Sequence, residues 1–526
     1  MRGINWPRAC LVLALVACGQ DSVERVTGVG EVGARRLSRD EYDNTLRDLL
    51  KDESRSGFLK LPEDILDPFD NDFTTQQPSG ILVETAETLA FEAAARLMAD
   101  PAKRDEVIGC VPTGAADLDC LRSFVATFGR RALRRPLAAG EIDAYLAFSD
   151  LSIEANDFYV GAGMVVAALL QDPEFLYRIE RGTPVPGRKG LYRLTDHEVG
   201  TRLSYFIWGS TPDDELLDLA DRRQLRTPDQ VRAAAERMLA DPRARARIDR
   251  FHAMWLGYYK LPHSAELTAA MRTETQQLIE RVVFEEGRPW ADLFTSTETY
   301  VDAQLAQLYG MTTPASGAGW QAYDGPGNRA GLLSHASFLS VAGKFGDTSP
   351  TQRGKLIRER LMCQVVPPPP PDVNVDEPPQ STPTSTCKED RYAQHRNDGS
   401  CFSCHNQMDP VGFGLENFDQ TGRWRAHDNG EPTCTISGQG QLYGLASDPV
   451  VFQGPAELGS ILIESGVLES CLVTQMYRFA MGHREQRSDA ETIDLLASSF
   501  TQSRRLDALV LDLVSAEAFG YRQEEN

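Results

Sequence analysis

Cys401-Phe402-Ser403-Cys404-His405 concentrates more reactive side chains than any other stretch of the sequence. Two thiols three residues apart, followed at once by an imidazole, match the attachment sequence of a c-type haem. That chemistry needs this spacing. Both thiols add across the vinyl groups of one porphyrin, and the adjacent imidazole turns beneath the ring to reach iron. Two other uses stay open: a disulfide between Cys401 and Cys404, or a zinc site built from Cys401, Cys404, His405 and His395. In the haem reading His405 is the proximal ligand. The candidates for the opposite face are His395, His427, Met476 and His483. Met408 follows His405 by three residues, so on a helix it shares the proximal side and reads as packing. Phe413, Phe418 and Trp424 offer apolar walls for the ring, and Arg423 and Arg425 offer guanidinium partners for propionates. Asp409-Pro410 reads as a turn that ends the attachment helix.

The elements that must carry these residues read as helices. Ser38 with Glu41, Thr195 with Glu198 and Thr227 with Gln230 are capping boxes ahead of apolar positions at helical spacing. Pro228 stands at a first helical position, and that helix stops at Asp241-Pro242. Leu137 to Leu146 reads as another helix entry. Turn-rich breaks fall at Gly182–Gly190, at Thr313–Asn328 and at the five prolines Pro367–Pro371, which favour an extended polyproline strut. A Gly-rich, weakly alternating patch near 434–446 predicts a minor β hairpin. The fold class expected is mainly α, a multi-module helical protein with a small c-type-haem module.

The chain has 526 residues with 54 Lys+Arg against 76 Asp+Glu, a net charge of −22. That balance argues against a nucleic-acid partner, which would call for a basic footprint. At 41% hydrophobic residues it has ample material for large cores. Arg2, Arg8 and the apolar run Ala9 to Ala17 form an export signal too short to span a bilayer. Leu15-Val16-Ala17-Cys18-Gly19 is similar to a bacterial lipobox, which makes Cys18 the expected lipidation site. Outside Cys10, Cys18 and the motif, six cysteines remain. In an oxidising compartment an even remainder predicts disulfides. Cys110 and Cys120 are the evident pair. Cys363, Cys387, Cys434 and Cys471 allow three pairings that sequence does not separate.

The flanks of the motif carry a resemblance. Arg391 to Arg396 precede it, and Met408-Asp409-Pro410-Val411-Gly412-Phe413-Gly414-Leu415-Glu416-Asn417-Phe418-Asp419 with Gly422-Arg423-Trp424-Arg425 follow. Together with Arg35-Arg36-Leu37, Phe128-Gly129-Arg130-Arg131-Ala132, Arg193 to Trp208 and Cys471 to Arg484, these resemble the planctomycete-type multidomain cytochrome-c-domain proteins, known mostly as domains of unknown function. The resemblance spans about residues 34–522 and implies a mostly helical, haem-associated exported protein, without naming a substrate. The expected organisation is a lipoprotein signal (1–17), a tether (18–33), and helical modules at 34–105, 106–185 with Cys110–Cys120, and 190–325. A haem module with the proline strut follows (329–446), then a C-terminal helical module (450–526).

The function expected is electron transfer by a lipid-anchored protein with one covalent haem c, working with a redox partner protein on the outer side of a bacterial membrane. The alternatives are a haem-dependent oxidative enzyme, peroxidase-like or oxygenase-like, and a surface polysaccharide-binding protein with auxiliary haem. One attachment motif supplies one electron at a time, which favours transfer over catalysis.

Overall fold

Helices begin where a short polar side chain takes up the first unsatisfied N–H groups. The computed structural model describes residues 28–344, 346–371, 377, 379, 385–393, 395, 399–428 and 431–524. The signal, Cys18, most of the tether and part of the Pro/Thr/Ser-rich stretch fall outside them. Among the described residues, Ser38 and Glu41 close a capping box at the head of α1 (Arg39–Leu50). Thr195 with Glu198 does so for α5 (Asp196–Ile207), and Thr227 with Gln230 for α6 (Pro228–Leu239). Asp241 caps α7 (Pro242–Trp255), so the Asp-Pro pair that stops one helix starts the next.

Helices dominate. Between α1 and α5 lie α2 (Gly80–Ala99), α3 (Leu118–Ala132) and α4 (Phe158–Gln171). Their apolar faces form one core with α1, including Leu46, Leu89, Phe124, Val165 and Leu169. A second and larger core holds Phe251, Trp255 and Trp290, then Val411 and Leu415, then Leu472, Phe479 and Leu509. The third, fourth and fifth modules therefore share one interior.

Short antiparallel pairings stitch distant parts together. β1 (Arg35–Arg36) pairs with β2 (Tyr177–Arg178), joining the first module to the end of the second. β3 (Thr183–Pro184) and β4 (Leu191–Arg193) form a sheet with β7 (Tyr521–Gln523), in the order β7-β4-β3. The hairpin runs from β5 (Gln439–Leu442) to β6 (Val450–Gln453), with Gln439 opposite Gln453. Its first strand falls in the patch expected near 434–446, and its second lies just beyond.

Two expectations need correction. Residues 28–33 are not a loose tether: Val29 and Val32 are buried, Glu31 bridges Gln523, and its N–H bonds Gln486. Asp409-Pro410 does not end the attachment helix, because α9 (Gly399–Phe413) runs through Pro410. A proline inside a helix costs roughly 3 kcal/mol. Close packing of α9 and multiple bonds to Asp409 offset that.

The described residues contain three disulfides, Cys110–Cys120, Cys363–Cys471 and Cys387–Cys434. The last two bracket the motif. One fastens the segment before the proline run to α10 (Val467–Met481), and the other ties residues ahead of α9 to the loop after it. Among the described residues, no helix is long and apolar enough to cross a membrane.

Candidate functional site

The motif lies in the first two turns of α9. Cys401 and Cys404 are three apart and His405 four beyond Cys401, so all three share one helix face. All three are half-buried, and neither thiol is in a disulfide.

α8 (Pro350–Leu356) holds the helix in two ways. First, it crosses α9 at glycines. A Cβ on Gly354 would overlap the Met408 carbonyl, and one on Gly412 would overlap that of Pro350. Gly354→Ala should therefore push the helices apart and cost roughly 1–3 kcal/mol, read as a lower urea midpoint for the full chain. Second, the buried Arg353 of α8 donates to the carbonyls of Leu415 and Phe418 at 2.7 Å each, and to Glu416 at 3.1 Å. Those bonds tie the turn that follows α9 back to α8. Glu416 is also gripped by Lys388 and Arg425 at 3.0 and 2.9 Å.

At the centre stands Asp409, fully buried one turn after His405. Its carboxylate accepts from His405 Nδ1 at 3.0 Å, from His395 Nδ1 at 3.1 Å and from the Thr351 hydroxyl at 2.7 Å. Burial alone would raise its pKa, but the bonds from His395 and His405 outweigh that and hold it below the usual carboxylate range. A carboxylate can only accept, so each facing Nδ1 carries the proton. Nε2 is then the nitrogen of each ring left to meet a metal. Holding one imidazole nitrogen to orient the other is how proteins prepare a histidine ligand. Asp409→Ala strands both rings and should cost about 1–3 kcal/mol, measurable by urea unfolding.

His395 comes beside His405, with ring centroids 3.8 Å apart. This corrects its expected place across the ring. Two imidazoles on opposite sides of one iron keep their nitrogens about 4 Å apart, with each ring further out still. No porphyrin fits between rings this close. His427 pairs with Thr435 in an isolated bridge, and Met476 and His483 are buried in the C-terminal module. His252 and His335 are fully buried interior groups. Burial pushes them down to about 4 and about 3 respectively.

The expected walls also stand elsewhere. Phe413 is eight residues past His405, about 12 Å along the helix axis, and packs edge-on against Tyr392. Phe418 and Trp424 bridge each other beyond the helix end. Arg329 covers the Phe418 ring at 4.6 Å. Arg423 is exposed in the Asp419 turn, and Arg425 is committed to Glu416. The structure thus gathers Cys401, Cys404, His405 and His395, and leaves Phe413, Phe418, Arg423 and Trp424 outside the cluster. A cleft of about 470 Å³ beside α9 is lined by Pro410, Phe413 and the Cys387–Cys434 bridge, and not by the thiols. Asp409 was open to discovery from its four-residue spacing to His405, but its neighbour Pro410 suggests a turn instead.

Five family models match the chain, each described as a protein of unknown function. They are DUF1587 over residues 35–99, DUF1595 over 120–180, DUF1592 over 194–311, DUF1588 over 329–428 and DUF1585 over 450–519. The DUF1588 match carries the name PSCyt3 and contains the thiol–imidazole motif. No curated protein and no solved structure matches. From residue 35 to 519 these modules follow one another in a single arrangement, and the chain belongs to the planctomycete-type multidomain cytochrome-c-domain proteins.

Proposed function

We propose that Cys401 and Cys404 hold one covalent haem c with His405 as its proximal ligand, and that the protein is an exported, lipid-anchored one-electron carrier. The observation that carries this reading is the His405–Asp409 pair beneath two adjacent thiols. The donor set fits the group. Six other cysteines are consumed in disulfides while these two are not. His405 is oriented by one nitrogen and keeps the other for iron. Once bound, the haem supplies one-electron exchange. Asp409 fixes the imidazole, and the glycine-lined α8–α9 crossing keeps the attachment helix from shifting. Three disulfides agree with an oxidising compartment, and the lipobox-like Cys18 supplies the anchor. The test is a pyridine haemochrome spectrum with intact mass on protein matured in a host that makes c-type cytochromes. One haem per chain is expected, and none would overturn the reading.

A second reading rests on the same cluster. Ligand atoms of His395, His405 and Asp409 lie within 4.8 Å of one another, close enough to hold one divalent cation. Elemental analysis of the same sample separates the two: iron with thioethers supports the first, one zinc per chain without them the second.

A further inference from the structure

A cleft of about 670 Å³ opens at the seam between the two cores, far along the chain from the thiol motif. One wall is α1 with the segment that follows it, and the other is α7 with residues 258–260 and Arg272. Its size is that of a small-molecule site, and such sites favour seams of this kind. In a chain of net charge −22, eight of its lining residues are basic and five acidic.

The balance of paired and unpaired groups identifies the ligand's charge. Asp40 and Asp70 pair with Arg250, Asp64 with Arg36, and Glu63 with Lys260. Asp249 alone among the acids of the lining makes no ion pair among the described residues. On the other side, Arg39 and Arg272 make none either. Two cations against one acid leave room for one negative charge. Arg39 Nε and the Tyr258 hydroxyl are both buried without a hydrogen-bond partner. Tyr258 is only 1% exposed, so its hydroxyl is a costly group to bury unpaired.

The shape suggests the rest of the ligand. Phe58 stands at the mouth, 37% exposed, with Leu59 and Leu66 beside it, also exposed. Asp43 accepts from the N–H groups of Gly57 and Phe58 at 2.7 and 2.8 Å, which fixes the turn that presents the ring. The guanidiniums of Arg39 and Arg55 lie 5.2 and 4.9 Å from the Phe58 ring centre. An apolar shelf edged by an unpaired guanidinium suits a flat body ending in an anion.

We propose that this cleft binds a small ring-bearing monocarboxylate, with the carboxylate on Arg39 and the ring on Phe58. A monoanion is preferred to a phosphate dianion because Asp249 would oppose a second negative charge. The test uses the full chain and saturation-transfer NMR, with benzoate, benzamide and inorganic phosphate as probes. Benzoate should bind about tenfold better than benzamide, the worth of one charge-assisted pair. Phosphate at equal concentration should not displace it. Arg39→Gln should remove the preference for benzoate over benzamide. Phe58→Ala, at an exposed position, should weaken both probes without touching the fold. Equal binding of benzoate and benzamide, displacement by phosphate, or an unchanged preference in a folded Arg39→Gln protein would each overturn the proposal.

Discussion

With Cys401 and Cys404 both replaced by alanine, the matured protein should lose its added mass of about 616 Da and all visible absorbance. The loss should be complete, because covalent attachment leaves no residual population once both sulfurs are gone. The fold should survive. Both thiols are half-buried and outside the disulfides, while α9 is anchored by Met408, Asp409, Val411 and Gly412 on later turns. Alanine also favours helix more than cysteine does. Far-UV circular dichroism should therefore match the parent, and intact mass should still show three disulfides. His405→Ala should separate the roles. It keeps both sulfurs, so part of the added mass should remain, but the iron loses its held imidazole and its ferric spectrum should turn high-spin. Stoichiometric haem on the double variant would place attachment elsewhere and sink the proposal. In the parent, low-spin ferric iron indifferent to cyanide is expected of an electron carrier. High-spin iron that binds cyanide would favour the oxidative-enzyme alternative.

What the sequence reveals and what it hides follow from the range of the forces involved. Ser38 with Glu41 and Thr195 with Glu198 announce their helices because a capping box is complete within four residues. Cys110 and Cys120 announce each other because only a short loop separates them. Cys363 and Cys471 do not, since their partnership depends on how α10 packs 108 residues away. Pro410 shows a local rule overruled. Taken alone it ends a helix, but Gly354 and Gly412 admit a backbone approach that keeps the helix whole. The misplaced walls have a simple cause. Phe418 and Trp424 follow the motif closely in sequence, yet the axial rise of α9 carries the chain away from the thiols before they appear. The position of His395 is likewise set at long range: it lies beside His405 because both rings bond the Asp409 carboxylate.

Glu180→Gln should be the most damaging single substitution in the chain outside the motif, and its cause is invisible among 76 acidic residues. Glu180 is buried where four modules meet. It accepts from Arg35 of the first at 2.6 Å and from Arg202 Nε of the third at 3.0 Å, with a further close pair to Arg202. Those arginines reach onward to the last module. Arg35 donates to the Met481 carbonyl at 2.9 Å, and Arg202 to those of Phe519 and Tyr521 at 2.6 and 3.1 Å. A neutral glutamine keeps the shape but leaves Arg35 and Arg202 as buried like charges without their counter-ion. Removing one partner of such a network costs about 3–5 kcal/mol. The pH dependence follows from the same geometry. Burial would raise the Glu180 pKa, but the charges of Arg202 and Arg35 outweigh it and hold the carboxyl well below its ordinary range. Its stabilisation is therefore fully present above about pH 4.3, the unfolded value, and fades as pH falls below it toward the folded value. The glutamine variant lacks that contribution at every pH. The gap in urea midpoint between parent and variant should be widest near neutrality and narrow progressively below about pH 4.3. A gap that stays constant into acid would mean that Glu180 acts through packing alone, and the charge argument for how the modules are locked together would fail.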